Sequence, residues 1–95
     1  MKPFDYENAP ELEEIRGYFK EEEWKAVCES CQKFDVMFSI TRSTVKSWVK
    51  DHFTNPKHSI ESKMNAFFSS LHAGFRYKDL SFSEFEDMIR KRLKK

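Results

Sequence analysis

The chain has 95 residues, 17 of them basic and 16 acidic for a net charge of +1, and 16% are aromatic. That length bounds it to one domain with a modest core, and ten phenylalanines beside two glycines weigh against disorder and towards packed helices. No apolar run approaches the roughly 20 residues that span a bilayer, the opening residues do not read as a signal peptide, and Cys28 and Cys31 stand too close to close a large loop by disulfide.

The small net charge hides an asymmetry. Residues 1–31 carry nine acidic and four basic side chains, and the rest carry seven acidic and thirteen basic. An acidic head on a basic body fits a protein whose second part meets a polyanion. Solvation of helix faces by Lys and Glu accounts for the same residues without any partner.

In chain order, residues 1–9 read as an extended arm with Phe4 and Tyr6 against the core. Pro10 and the glutamates after it mark a helix start, and Leu12, Ile15 and Phe19 give that acidic helix one apolar face ending near Lys20. Trp24 to Cys31 reads two ways. As helix, Trp24, Val27, Cys28 and Cys31 share a face; as strand, Trp24, Ala26 and Cys28 alternate. Phe34, Val36, Phe38 and Ile40 alternate with Asp35, Met37 and Ser39, a half-buried strand pattern that favours strand, knuckle, strand.

Thr41 or Ser43 then caps a helix whose apolar stripe is Val45, Trp48, Val49 and Phe53. His52 lies in its last turn, Asn55-Pro56 breaks it, and His58 follows. Ser59 opens a further helix bearing Ile60, Met64, Phe67, Phe68 and Leu71, with Gly74 as its C-cap. Tyr77 and Leu80 anchor a connector. Ser83 and Glu86 read as the capping box of the last helix, which buries Phe85, Met88, Ile89 and Leu93 and ends in a basic run suited to the helix dipole.

Two cysteines two residues apart, followed by two histidines at a helix end, are the donor set and order of a structural zinc site: Cys28, Cys31, His52 and His58. The expected fold is α+β and mostly helical. An arm and acidic helix occupy residues 1–23, a ββα zinc finger residues 24–58, and a C-terminal helical segment residues 59–95, all in one compact unit. Such a donor set closes the metal shell, and the chain shows no nucleophile with a base and no phosphate loop, so an enzyme is not expected.

Lys25 to His58 resembles a BED-type zinc finger, the DNA-binding module of hAT-type transposases and proteins derived from them. There too a two-cysteine knuckle leads to a helix ending in paired histidines. Two features depart from the pattern. Twenty residues separate Cys31 from His52, against about 12 in the common finger, and Trp48 stands where some BED fingers carry the first histidine. The resemblance implies zinc, a nuclear location, sequence-selective binding of double-stranded DNA, and a homodimer or protein partner held through the C-terminal helices.

Gln32 to Lys50 also resembles a metal-free helix-turn-helix of the bacterial and phage repressor type, with Phe34 and Phe38 on the first helix, Ile40 at the turn and Arg42 to Trp48 on the recognition helix. Asp35 departs from that pattern where the helices touch, Ser39 stands where glycine is usual, and Val36 and Met37 add apolar surface. Both readings set the same helix against DNA. Arg42, Lys46 and Lys50 recur every four residues, with Lys57 beyond them, to meet phosphates; Arg42, Ser43 and Ser47 would choose bases. A third reading is a helical protein-interaction module acting through Trp48, Phe67, Phe68 or Phe85.

Overall fold

A computed structural model describes residues 4–69 and 75–94. A 3-10 turn, Pro10–Leu12, runs into α1 (Glu13–Arg16), followed by α2 (Glu21–Met37), α3 (Arg42–Phe53), α4 (Ile60–Ser69) and α5 (Phe82–Leu93). The only extended pairing among the described residues is a single antiparallel bridge between Tyr77 and Leu80. The expected ββα finger is therefore overturned: residues 24–37 are continuous helix. Trp24, Val27, Cys28 and Cys31 recur at spacings of three and four, and all are buried on one face. Nothing between them breaks the helix. The alternation after Phe34 does not mark a buried strand face, because Val36, Met37 and Phe38 are 77%, 64% and 59% exposed.

Each boundary has a local cause. At the start of α2 the Glu23 carboxylate accepts from the Lys20 amide at 2.6 Å, and Glu21, Glu22 and Glu23 favour the positive end of the helix dipole. At its end Ser39 adopts φ 53°. Its amide donates to the Val36 carbonyl at 3.2 Å, and the Ile40 amide donates to that of Asp35 at 2.8 Å. This is a Schellman closure, with serine in the left-handed position that usually falls to glycine. Thr41, one of the two caps the sequence offers, caps α3 by accepting from the Thr44 amide at 3.3 Å, and Ser59 accepts from the Ser62 amide at 3.1 Å as expected. The capping box of α5 lies two residues earlier than expected. Ser81 accepts from the Glu84 amide at 3.1 Å, and the Glu84 carboxylate accepts from the Ser81 amide at 3.0 Å. The expected C-cap at Gly74, and Leu71 before it, fall outside the described residues.

The core gathers around Phe19, whose ring meets Trp24 at 5.4 Å, Phe85 at 5.9 Å and Phe67 at 6.3 Å. Trp24 and Phe67 stack at 5.7 Å, joining α2 to α4. Leu12 and Ile15 enter from the N-terminal turns, Val45, Val49 and Phe53 from α3, and Phe85 and Ile89 from α5. α5 is then fastened to α2 by charge. Arg92 donates through both terminal nitrogens to Glu23, at 2.6 and 3.0 Å, and also to the Tyr18 carbonyl at 2.9 Å. Glu23 is only 2% exposed, so this fork holds a carboxylate that water scarcely reaches.

Burial pushes the Glu23 carboxyl up, but the Arg92 guanidinium and the Lys20 amide outweigh it and hold the group below its ordinary 4.5. Its contribution is therefore complete above pH 4.5 and lost as pH falls through the lowered value. Arg92→Met leaves the carboxylate buried without its cation, with an expected cost of about 3 kcal/mol by urea unfolding at pH 7. That difference narrows in acid, where Glu23 is protonated in both proteins. Ser39→Gly relieves the left-handed strain and should raise stability by about 0.5 kcal/mol in the same assay, after allowing for the more flexible unfolded chain.

Candidate functional site

α2 is followed, after a short turn, by α3. α3 has 12 residues, about 18 Å of helix at 1.5 Å per residue. Val45, Val49 and Phe53 are its buried stripe. Arg42, Ser43, Lys46, Ser47 and Lys50 are all exposed, and so is Lys57 in the loop beyond. That loop is set by Asn55, whose side chain accepts from the Lys57 amide at 2.9 Å and whose carbonyl accepts from the His58 amide at 3.2 Å. The structure thus presents all six residues expected to meet DNA to solvent.

Among the described residues Arg42, Lys46, Lys50 and Lys57 form no ion pair. Lys63, Lys78, Arg90 and Arg92, in contrast, each lie within 4 Å of a glutamate. The three α3 cations advance by about 40° per step of four residues, giving a stripe along one flank. Asp51, the acid of α3, lies about 100° round the helix from Lys50.

The four expected zinc donors are placed differently. Cys28 and Cys31 sit in mid-α2 facing the core, 1% and 4% exposed. Burial pushes the Cys28 thiol up to about 12 and the Cys31 thiol well above its ordinary value. His52 and His58 come together elsewhere, their rings stacked at 5.9 Å, with Trp48 against His52 at 5.3 Å. Among the described residues no three His, Cys, Asp or Glu side chains converge as a metal site would need. The cysteine pair and the histidine pair each assemble, but the set of four does not. The reason is the helix itself: a knuckle turns its sulfurs outward together, while α2 turns them into the core.

Between α2 and α3 lies a cavity of about 280 Å³, lined by Phe34, Ile40, Val45, Trp48, Val49 and Phe67, with Tyr6, Cys31, Thr44 and Asp35. The Tyr6 hydroxyl donates to Asp35 at 2.6 Å, and Phe4 meets the Tyr6 ring edge-on at 4.8 Å. The N-terminal arm is thereby pinned at the cavity. Phe38 lies against Phe34 at 4.6 Å, so the exposed tip of α2 adjoins the same region. Sequence reasoning did not find this cavity. Tyr6 and Asp35 lie 29 positions apart, and the one signal was an acidic residue where two helices should touch. Phe67, Phe68 and Phe85, expected as anchors for a protein partner, are 2%, 2% and 0% exposed and belong to the core. Trp48 alone of that group is accessible, at half burial.

No family model, curated protein or solved structure matches this chain. No described helix is long and apolar enough to cross a membrane.

Burial raises the Asp35 carboxyl above its ordinary 3.8, and the Tyr6 hydrogen bond only partly opposes this. Its sign is opposite to that of Glu23: the folded state is favoured most with Asp35 protonated, below pH 3.8, and loses that advantage as pH rises through the raised value. Asp35→Asn keeps an acceptor for Tyr6 and removes the charge. The variant should be more stable than the parent at pH 7, with the gap closing below pH 4 in paired urea titrations.

Proposed function

We propose that the chain binds double-stranded DNA through the exposed face of α3, with α2 bracing it as the first helix of a helix–turn–helix. One observation carries this reading: Arg42, Lys46 and Lys50 form an exposed stripe without ion pairs among the described residues, on the helix that follows a short turn. A helix of this width enters the major groove. Lys46, Lys50 and Lys57 serve phosphates and supply affinity. Arg42, in the first turn of α3, has the planar fork that matches a guanine edge, with Ser43 and Ser47 beside it.

A second reading has an observation of its own. Val36, Met37 and Phe38 leave three large apolar side chains exposed at the end of α2. A second copy of this chain docking on that tip is compatible with DNA binding, since helix–turn–helix proteins commonly read paired half-sites as dimers. Sedimentation then shows a dimer that Met37→Lys dissociates; a monomer at all concentrations removes the reading.

Fluorescence polarisation with a 20-base-pair duplex tests the DNA reading directly. Neutralising four phosphates gives a slope of log affinity against log salt of about −3.6, and each cation removed from the interface makes it shallower by about 0.9. Lys46→Gln with Lys50→Gln should leave folding within about 0.5 kcal/mol of the parent, as exposed substitutions do, and bring the slope to about −1.8. A slope unchanged by the pair, or binding indifferent to salt, excludes α3 as the DNA-facing helix.

A further inference from the structure

The cavity between α2 and α3 has a chemistry that the α3 stripe does not use. Four of its lining residues, Tyr6, Phe34, Trp48 and Phe67, are aromatic, and Asp35 is the one charged residue among them. Asp35 has no ion pair among the described residues. Its Oδ2 accepts from Tyr6, and its Oδ1 accepts no side-chain or backbone hydrogen among the described residues. Ring faces carry negative charge density and attract cations, most of all cations that shed water readily. A carboxylate among rings therefore disfavours an anion. The surrounding Ile40, Val45 and Val49 equally disfavour a small, strongly hydrated inorganic ion, which would lose its water without replacement. What remains is a cation attached to an apolar body.

We infer that this cavity takes an alkylammonium group, with its carbon chain against Phe34, Ile40 and Trp48 and its cationic head against Asp35. A volume of about 280 Å³ lies at the lower edge of small-molecule sites, enough for a short chain and unsuited to a large ring system. The site is independent of the DNA reading, because its lining residues and the α3 cations occupy different flanks of α3.

The test titrates the full chain, followed by amide shifts in NMR, with hexyltrimethylammonium, hexan-1-ol and hexanoate. The cation should bind one to one, moving the resonances of cavity residues, and about tenfold more tightly than the alcohol. Asp35→Asn should remove that advantage while leaving the alcohol unchanged. Trp48→Leu, which keeps Asp35 and removes a ring, should also narrow the advantage of the cation over the alcohol. Equal binding of cation and alcohol, tighter binding of hexanoate, or no shifts with any of them would overturn the assignment. A capped trimethyllysine run beside hexyltrimethylammonium separates the two sources of the group. Tighter binding of the first identifies a lysine side chain of a partner, and of the second a free amine.

Discussion

The fork between Arg92 and Glu23 is the constraint on which the arrangement of helices depends. It joins the last turn of α5 to the first turn of α2, and its third bond reaches the Tyr18 carbonyl just before α2 begins. A paired charge in so buried a place is weak evidence for net stability, since two apolar residues of similar size often do as well. Its consequence is geometric. A planar guanidinium gripping both oxygens of a carboxylate accepts one orientation, so the N-terminal half of α2 is fixed against α5 while Trp24 stacks on α4. α2 has 17 residues, about 25 Å, and the core does not reach its full length. Beyond Cys31 the Tyr6–Asp35 hydrogen bond ties the helix to the arm. The cavity and the bare tip at Val36 to Phe38 both lie in that outer part.

Some of this was legible in the sequence and some was not, for identifiable reasons. α3 and α4 were readable because each begins with a hydroxyl cap and carries an apolar stripe at helical spacing. The strand reading of residues 34–40 failed because period two and period three-to-four overlap there. Phe34 and Phe38 also continue the series Trp24, Val27, Cys28, Cys31. The deciding feature was the absence of a turn: a hairpin between Cys28 and Phe34 would need glycine, proline or asparagine, and Glu29 to Lys33 contain none. At α5 the run Ser81-Phe82-Ser83-Glu84-Phe85-Glu86 holds two overlapping capping boxes. The earlier one prevails because it brings Phe82 into the helix, against Phe68 at 6.1 Å and Phe75 at 5.8 Å.

The departures from the helix-turn-helix pattern mark the structure's own irregularities. Ser39, in place of glycine, has φ 53°, as Lys78 does in the connector. Asp35, in place of a small residue, lines the cavity and accepts from the Tyr6 hydroxyl. Val36 and Met37, in excess of what a core needs, stand in water. Each is a local cost, in strain, desolvation or exposed apolar surface, that the rest of the fold must offset. The pinned arm was the part that spacing alone could not supply, because Tyr6 and Asp35 lie 29 positions apart.

The charge asymmetry along the chain has a structural origin that narrows what it implies. Three of the four ion pairs among the described residues run from the acidic head to the basic body: Glu14 to Lys63, Glu22 to Lys78 and Glu23 to Arg92. Two of them are long and weak, at 3.8 and 3.9 Å, worth about 1 kcal/mol or less, yet they neutralise charge where α4, the connector and α5 face the head. Three of the thirteen basic residues after residue 31 are thus answered by the head. The cations of α3 are not among them. Among the described residues no glutamate of the head pairs with α3, and Arg42, Lys46, Lys50 and Lys57 remain as a local positive field on a chain of almost no net charge. Affinity for a polyanion follows the local field within a Debye length of about 10 Å rather than the net charge of the whole. A near-neutral protein can therefore carry one helix whose local field is positive, tempered at Arg42 by Asp5 of the acidic head.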